Sequence, residues 1–420
     1  MGTRRIFIAI FLIGFFNLSQ SQNTYILKPD RVFDGFTMHN NWVVQISSDT
    51  IAFVGPLNKL KNYNKRTLQT LKGTTLLPGM IEGHGHMFLY PYNQKSWNDQ
   101  VLKESQSYRV ARATVSAKKT LYAGFTSFRD LGTEGAGYAD YGLKKAINDG
   151  IIEGPRMTIS SKAIVATGSY GPKGFAPEIK VPLGAEEADG ENLIRVVRSQ
   201  IAAGADFIKV YADYRWGKNK EAMPTFSVDE LKLIVKTAAS SGRYVAAHAG
   251  TAEGMRRAIS AGIKIIEHGD GGTPEIFKLM KDKNVALCPT VAAGYSIATY
   301  NGWNPKTEAL PKRIIQKIKS FKEALKAGVT IVAGGDVGVF AHGNNVLELE
   351  MMSDYGMSNL EVLKSVTSTS AKVLELPKVG TLKAGNFADI VVVSGNPVKD
   401  ISDLRKIKMV IKNGKIVLKN

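Results

Sequence analysis

The sequence predicts an α/β protein, with a (β/α)8 TIM barrel and a small β-sandwich domain formed from the N- and C-terminal segments. Short alternating apolar runs occupy both ends of the chain, and between them apolar, strand-like runs alternate with helical patterns eight times. At 420 residues the chain exceeds one ordinary hydrophobic core, so a large domain with a smaller companion is expected. Apolar residues make up 44% and charged residues 22%, which indicates a globular protein rather than a disordered or membrane-embedded one.

The first segment, residues 1–21, has the pattern of a secretory signal peptide. Arg4 and Arg5 precede an apolar run over residues 6–16, and a polar stretch with small residues follows up to Ser21, where we expect cleavage. The apolar run is too short to span a membrane as a helix. We therefore expect a secreted protein with no stable membrane anchor after the signal peptide is removed.

Cysteine content and net charge restrict the compartment and the partners. Cys288 is the single cysteine, which excludes an intramolecular disulfide and favours the bacterial periplasm among secreted locations. The formal net charge is +18, but the basic residues are scattered and form no block with interleaved aromatic residues. The sequence therefore favours no nucleic-acid partner and leaves a homo-oligomer open.

Strand patterns mark both ends of the chain. Residues 22–75 contain short alternating runs such as WVVQISSDTIAFVG, broken by Gly, Asn and Asp, which predict antiparallel strands. Residues 377–420 return to this pattern with ADIVVVSG and KMVIKNGKIV, where the Asn413-Gly414 pair is a hairpin signal. We expect the two ends to pair into the β-sandwich.

Between these ends, residues 76–376 carry the predicted barrel. Its eight strands are LLPGMIEGH, GFTSFRD, RMTISSKAI, DFIKVYA, YVAAHA, KIIEHG, NVALCPT and VTIVAGGD. Helical patterns separate them, as in VDELKLIVKTAASSG, where apolar residues recur at helical spacing and Gly242 marks the end. Repeated βα units of this kind predict parallel strands.

Polar residues follow or end several of these strands. The candidate site residues are His84, His86, Lys209, His248, His268 and Asp336. Taken singly, each has an ordinary structural interpretation, such as a hydrogen-bonded core histidine or a loop aspartate. Their joint order changes this interpretation, because barrel enzymes place their chemistry at the carboxyl ends of the strands.

The His84-Gly85-His86 motif suits a metal ion. A strand places alternate side chains on one face, so the two histidines should lie about 7 Å apart, within reach of one divalent ion. Imidazole nitrogen and carboxylate oxygen suit zinc, and the single cysteine excludes a structural site of four thiolates. The sequence thus indicates a catalytic metal site.

Several motifs resemble the strand motifs of the amidohydrolase superfamily: PGMIEGHGH, GADFIKVY, VAAHAG, IIEHGD and AGGD. Within it, the chain is most similar to the imidazolonepropionase-like and Xaa-Pro-dipeptidase-like branch, as AGFTSFRDLG, GPRMTIS and AHGNNVLELE indicate. The resemblance covers nearly the whole chain after the signal peptide, including GTLKAGNFADIVVV near the end.

The resemblance implies two divalent metal ions, with zinc favoured and manganese or iron as alternatives. It implies one metal on His84, His86 and Asp336 and the other on His248 and His268, bridged by Lys209 as a carbamate. A neutral lysine amine can add carbon dioxide, and two nearby cations would stabilise the resulting anion. Asp336 is the implied catalytic residue, taking a proton from the nucleophile and delivering it to the leaving nitrogen.

The implied reaction is hydrolysis of an amide-like bond in a small substrate, either a dipeptide or an N-acyl amino acid. The alternatives are hydrolysis of a cyclic amide or an ester, or a metal-bearing binding protein without turnover. Tyr170, Tyr211 and His342 are the candidate substrate-binding residues. Dipeptidase-type relatives commonly have a histidine where Tyr170 stands and a tyrosine where Gly250 stands, so this chain must hold its substrate through other groups.

Overall fold

The computed structural model describes residues 24–61 and 63–420. The predicted signal peptide and its cleavage site lie outside these residues. Within the described ranges, no helix combines the length and the apolar composition needed to cross a membrane.

Strands occur at both ends and in the centre of the described chain. In order they are β1 (Thr24–Phe33), β2 (Met38–Asn40), β3 (Trp42–Ser47), β4 (Thr50–Pro56), β5 (Leu68–Pro78), β6 (Met80–Gly85), β7 (Phe125–Asp130), β8 (Arg156–Ile159), β9 (Ile164–Val165), β10 (Glu186–Glu187), β11 (Ile208–Tyr211), β12 (Asp213–Arg215), β13 (Ala222–Pro224), β14 (Val245–Ala249), β15 (Ile265–His268), β16 (Ala286–Cys288), β17 (Ile390–Ser394), β18 (Ile407–Lys412) and β19 (Lys415–Lys419).

Within residues 24–61 and 63–420, the α-helices lie between the two terminal sets of strands. They are α1 (Trp97–Lys103), α2 (Gln106–Tyr122), α3 (Ala139–Asn148), α4 (Asn192–Ala202), α5 (Val228–Ala239), α6 (Ala252–Ala261), α7 (Pro274–Asp282), α8 (Val291–Tyr300), α9 (Lys312–Lys326), α10 (Val346–Asp354), α11 (Asn359–Ser365) and α12 (Ser368–Val373).

The two ends of the chain form one mixed sheet of eight strands. Its order is β19-β18-β17-β5-β1-β3-β4, with β2 paired to β1, and the antiparallel pair of β17 and β5 joins the C-terminal strands to the N-terminal ones. The Tyr25 hydroxyl on β1 donates to the Gly414 carbonyl in the β18–β19 turn at 2.9 Å. Because β5 and β17 lie between these strands in the sheet, this contact shows that the sheet curls. The ends therefore pair as expected, but through continuous hydrogen bonding in one curled sheet rather than as two separate sheets.

The border between this sheet and the central region lies at Gly79. The predicted strand LLPGMIEGH is two strands, because Leu76 and Leu77 pair with β17 whereas β6 starts at Met80 and pairs with β7. A side chain at Gly79 would collide with the side chain of Thr126 on β7. The terminal sheet thus extends to Pro78, beyond the predicted border after residue 75.

The central region has the predicted α/β architecture with parallel strands. Its main strands form two sheets, β6-β7-β8 and β10-β9-β11-β14-β15-β16, rather than one closed eight-stranded sheet. Two isolated parallel bridges, Leu287 with Ile331 and Gly85 with Val337, link the outer strands through the segment predicted as strand eight. That segment forms no regular strand because it contains two consecutive glycines and bends at Asp336, where φ is 62°.

The helices pack on the parallel strands as their sequence pattern predicts. Helix α5 begins with a capping box between Ser227 and Glu230 and buries Leu231 and Ile234 in the main apolar core. Gly242, after α5, has a φ of 72°, a left-handed conformation that glycine adopts at low cost. The carboxyl ends of β6, β11, β14 and β15 consequently face one common cavity, which their terminal side chains line.

Candidate active site

Four of the six predicted ligand residues, the histidines, lie at the carboxyl ends of parallel strands or directly after them, whereas Lys209 lies within a parallel strand and Asp336 in an irregular segment. We call them the ligand cluster: His84 on β6, His86 directly after β6, Lys209 on β11, His248 on β14, His268 on β15, and Asp336 after the Ile331 bridge. Parallel strands bring their carboxyl ends to one edge, so residues 84 to 336 of the sequence meet in space.

His84, His86 and Asp336 form one half of the cluster. The two imidazole rings lie 5.5 Å apart between centroids. Asp336 Oδ1 lies 3.6 Å from His84 Nε2 and 3.3 Å from His86 Nε2. The Asp336 amide donates to the His84 carbonyl at 2.8 Å, which fixes the aspartate against β6.

His248, His268 and Lys209 form the other half. The rings of His248 and His268 are 4.4 Å apart, and those of His84 and His268 are 5.1 Å apart. Lys209 is 1% exposed. Its charge contributes to lowering the pKa of His84, His248 and His268. The two halves therefore form one continuous cluster.

Burial keeps most of the nitrogen ligands neutral. It lowers the pKa of His84 to about 4 and that of His248 to about 3, so both imidazoles are uncharged at neutral pH. Burial also lowers the pKa of the Lys209 amine. Burial acts in the same direction on His86, but the interaction with the Asp336 carboxylate, whose Oδ1 lies 3.3 Å from His86 Nε2, outweighs it and raises the pKa of His86 to about 9.

Outer contacts fix the orientation of three histidines. The Nδ1 atoms of His84, His86 and His268 each lie 2.8 Å from an oxygen atom, belonging to the Glu267 carboxylate, the Gly132 carbonyl and the Thr290 hydroxyl respectively. With Nδ1 engaged, Nε2 remains free to act as a ligand.

Glu267 also forms a buried ion pair with Arg129 at 2.7 Å, and both side chains are 0% exposed. Burial alone would raise the pKa of Glu267, but the charge of Arg129 and the hydrogen bond with His84 lower it to about 2. Neither residue was among those predicted from the sequence. A charged residue inside the apolar strands FTSFRD and IIEHGD was the available signal.

Asp213 lies beside His248 and anchors the loop that follows it. Its Oδ1 lies 3.7 Å from His248 Nε2. The same carboxylate accepts hydrogen bonds from the amides of Gly250 and Thr251 at 2.9 and 2.7 Å. These bonds fix the loop after β14, and Asp213 too was missed from the sequence.

The donor set fits a metal ion. The ligand atoms of His84, His86 and Asp336 lie within 4.8 Å of one another, and Asp336 Oδ1 is buried without a hydrogen-bond partner among the described residues. A second group, His84 with Glu267 and Cys288, fits poorly. Burial raises the pKa of the Cys288 thiol well above 9, and Glu267 is already paired with Arg129.

A cavity of about 920 Å³ opens above the ligand cluster. Tyr170 and Tyr211, two of the predicted substrate residues, line it. Their hydroxyls donate to the carboxylate of Glu134, at 2.6 Å from Tyr170 and 3.3 Å from Tyr211. Glu134 follows β7 in a loop, where no periodic pattern indicated its burial.

His342, the third predicted substrate residue, lies outside the set of described residues that line the cavity. Its Nε2 is 3.2 Å from the carbonyls of both His86 and Leu89, and its Nδ1 is 3.2 Å from the Thr120 hydroxyl. These contacts hold His342 between the turn after β6 and helix α2. The predicted substrate contact of His342 is therefore replaced by a structural one.

Comparison with known proteins agrees with this architecture. The chain matches the amidohydrolase family over residues 75–417. It is 32% identical to ochratoxinase from Aspergillus niger over 415 residues, covering 91% of this chain and 84% of the relative.

Two solved structures are similar over almost their full length. The crystal structure of a Xaa-Pro dipeptidase with bound methionine in the active site has a TM-score of 0.82 and 28% identity, covering 94% of this chain and 99% of that one. That of A. niger ochratoxinase has a TM-score of 0.81 and 30% identity, covering 95% and 96%. The predicted family is confirmed: the chain belongs to the amidohydrolase family and is a hydrolase of carbon–nitrogen amide bonds.

Proposed function

We propose that this hydrolase is metal-dependent and cleaves the amide bond of a dipeptide or an N-acyl amino acid. The observation that carries the proposal is the convergence of the ligand cluster beneath the cavity, with Asp336 Oδ1 buried and lacking a hydrogen-bond donor among the described residues. A buried carboxylate oxygen that accepts no hydrogen bond is costly unless a cation lies beside it, and here the protonated His86 would be that cation until a metal ion took the place of its proton.

The cluster divides into two ligand groups. His84, His86 and Asp336 would hold one ion, and His248 and His268 would hold the other. Lys209 would bridge them as a carbamate, which its burial and lowered pKa support because the neutral amine is the form that adds carbon dioxide. Zinc is favoured by the nitrogen and oxygen donors. When bound, the ions would supply an activated water and polarise the scissile carbonyl.

Asp336 would move the proton. Its Oδ1 accepts no hydrogen bond from the described residues, and its backbone is fixed on β6 by the bond to the His84 carbonyl. The carboxylate would take a proton from the nucleophilic water and deliver it to the nitrogen that leaves when the amide C–N bond breaks.

The cavity suits a small substrate with a carboxylate. Its volume of about 920 Å³ lies in the range of small-molecule sites. Arg215 and Arg313 line it, and an arginine guanidinium matches a carboxylate in shape and charge. The two relatives are named for hydrolysis of ochratoxin and of Xaa-Pro dipeptides, and such substrate classes are consistent with this cavity.

We also propose that the two parallel sheets act as one (β/α)8 barrel. Three links support closure: the bond from the Asp206 amide to the Ile159 carbonyl at 2.8 Å, and the bridges of Leu287 with Ile331 and Gly85 with Val337.

The signal peptide pattern further leads us to propose export to a bacterial periplasm, which cell fractionation and N-terminal sequencing of the mature protein would test.

The deciding experiment measures metal content and turnover on one sample of the purified mature protein. We expect about two ions per chain, and hydrolysis of members of a dipeptide and N-acyl amino acid panel that a chelator stops and added zinc restores. The panel includes a cyclic amide and an ester. Turnover that survives complete metal removal would contradict the proposal, and cleavage of the cyclic amide or ester alone would refute the substrate class.

A further inference from the structure

One buried carboxylate in the cavity wall has no part in the mechanism above. Glu134 is 2% exposed and lies in the loop after β7. Its φ of 49° places it in the left-handed region, which residues other than glycine rarely adopt. Such a conformation persists where the surroundings hold it, and it is enriched at functional sites. The loop therefore holds the Glu134 side chain in the wall of the cavity.

Three aromatic side chains donate hydrogen bonds to this carboxylate, and a fourth ring packs against two of them. We call them the Glu134 cage: Trp97, Tyr170, Tyr211 and Tyr214, which all line the cavity. Tyr170 lies at the centre, with its ring 5.4 Å from Trp97, 4.7 Å from Tyr211 and 4.8 Å from Tyr214. Trp97 Nε1 donates to Glu134 at 2.8 Å, in addition to the two tyrosine hydroxyls.

All three donors to Glu134 are neutral. Burial and the negative charge of Glu134 raise the pKa of both Tyr170 and Tyr211 well above 10, so their hydroxyls keep their protons and donate. The buried Arg109 is nearby, but its guanidinium donates to the backbone carbonyls of Phe88, Thr133 and Glu134. Among residues 24–61 and 63–420, no basic nitrogen lies within the 4.0 Å ion-pair distance of the Glu134 carboxylate.

The cage also touches the ligand cluster. The Tyr211 ring stacks on His248 at 4.6 Å on one side and packs against Tyr170 at 4.7 Å on the other. A group bound in the cage would therefore be separated from His248 of the ligand cluster by the Tyr211 ring. The same small substrate can occupy both places.

We propose that Glu134 and its cage bind a cationic nitrogen group of the substrate, an ammonium or a guanidinium. The Glu134 carboxylate has no direct ion-pair partner among the described residues, and aromatic faces attract cations, so the two features select the same chemistry. The inference rests on the proposed amide hydrolysis and narrows its substrate class. The cation has two sources in a dipeptide: the free amino terminus, or a basic side chain.

Two matched substrate pairs separate these sources. N-acetyl-alanyl-lysine and N-acetyl-alanyl-norleucine differ by the side-chain charge, whereas alanyl-norleucine and its N-acetyl form differ by the terminal charge. In one of the pairs we expect the metal-loaded wild-type protein to prefer the charged member by about 100-fold in kcat/KM, mostly through KM, because a buried ion pair is gained.

The Glu134→Gln variant keeps the shape of the side chain and removes its charge. We expect the ratio of kcat/KM between the charged and neutral members to fall by about 100-fold. Glu191→Gln, which makes the same change at an exposed position, should keep the wild-type ratio. Trp97→Phe removes one hydrogen bond to Glu134 and should lower the ratio by a smaller factor, which gives a second readout if Glu134→Gln folds poorly.

The outcomes distinguish this inference from the proposed function. Chelator-sensitive hydrolysis with no preference in either pair, or a preference that both Glu134→Gln and Trp97→Phe retain, would overturn the cage assignment while leaving the amide hydrolase intact. Calorimetry with each pair's neutral and charged members on metal-free protein tests the cage without turnover. Equal binding within both pairs there would also overturn it.

Discussion

The ligand cluster and the Glu134 cage lie side by side in one cavity but are built in different ways. The four cluster histidines lie at or directly after the carboxyl ends of parallel strands, and outer contacts such as the 2.8 Å bond between His84 and Glu267 fix three of their rings. The cage is assembled mostly from loops and short elements around the Glu134 carboxylate, with only Tyr211 on one of the parallel strands. Strand ends offer rigid placement suited to chemistry, whereas loops tolerate change, so we assign turnover to the cluster and selectivity to the cage.

Asp336→Asn should give the largest effect of these variants, and it tests the assignment of turnover to the ligand cluster. The variant keeps the size of the side chain but removes the proton acceptor, so we expect kcat to fall by roughly 100- to 10,000-fold with the fold intact. Steady-state kinetics and circular dichroism check both statements. Asp354→Asn, at an exposed position, is the matched control. A kcat close to that of this control would remove Asp336 from the mechanism.

Lys209→Met should have the next largest effect. Methionine fills the buried space but cannot form a carbamate, so we expect metal content to drop from about two ions per chain to one or fewer, and turnover to fall with it. Elemental analysis of dialysed protein measures this. Lys218→Met, which makes the same change at an exposed position, should keep the wild-type metal content. Full metal occupancy in Lys209→Met would contradict the bridging role.

Glu267→Gln sharpens the comparison by weakening the support of the cluster rather than a ligand. The amide keeps one hydrogen bond to His84 but leaves Arg129 buried without its counter-charge. We expect metal affinity to fall about 10- to 100-fold and the free energy of unfolding to fall by about 3–5 kcal/mol. Competition with a metal indicator and urea unfolding measure the two quantities. If both stay at wild-type values, the ion pair does not position His84.

His342→Gln should have the smallest kinetic effect. The side chain contacts two backbone carbonyls of the turn after β6 and Thr120 of α2, so we expect less than about a threefold change in KM and a loss of about 1 kcal/mol in unfolding free energy. Kinetics with the matched substrate pairs and urea unfolding are the measurements. A change in substrate preference would restore His342 to the substrate site.

The sequence by itself determined the parallel α/β class and the family. It also identified as candidates the six residues that the structure gathers into the ligand cluster. Helix α5 with its Gly242 stop follows from local periodicity, which neighbouring residues alone encode. The cluster could be predicted because histidine, lysine and aspartate stand out at the ends of apolar runs, and parallel strands bring such ends together.

Only the tertiary structure decided the contacts between distant residues. The bond between Arg129 and Glu267 joins positions 138 residues apart, and Glu134 meets Tyr170 and Tyr211 from 36 and 77 residues away. The curled terminal sheet and the contacts of His342 with Thr120 and the turn after β6 also depend on residues that are distant in the sequence. No local pattern records such pairs, because burial, charge pairing and loop strain are set by the packing of the whole chain.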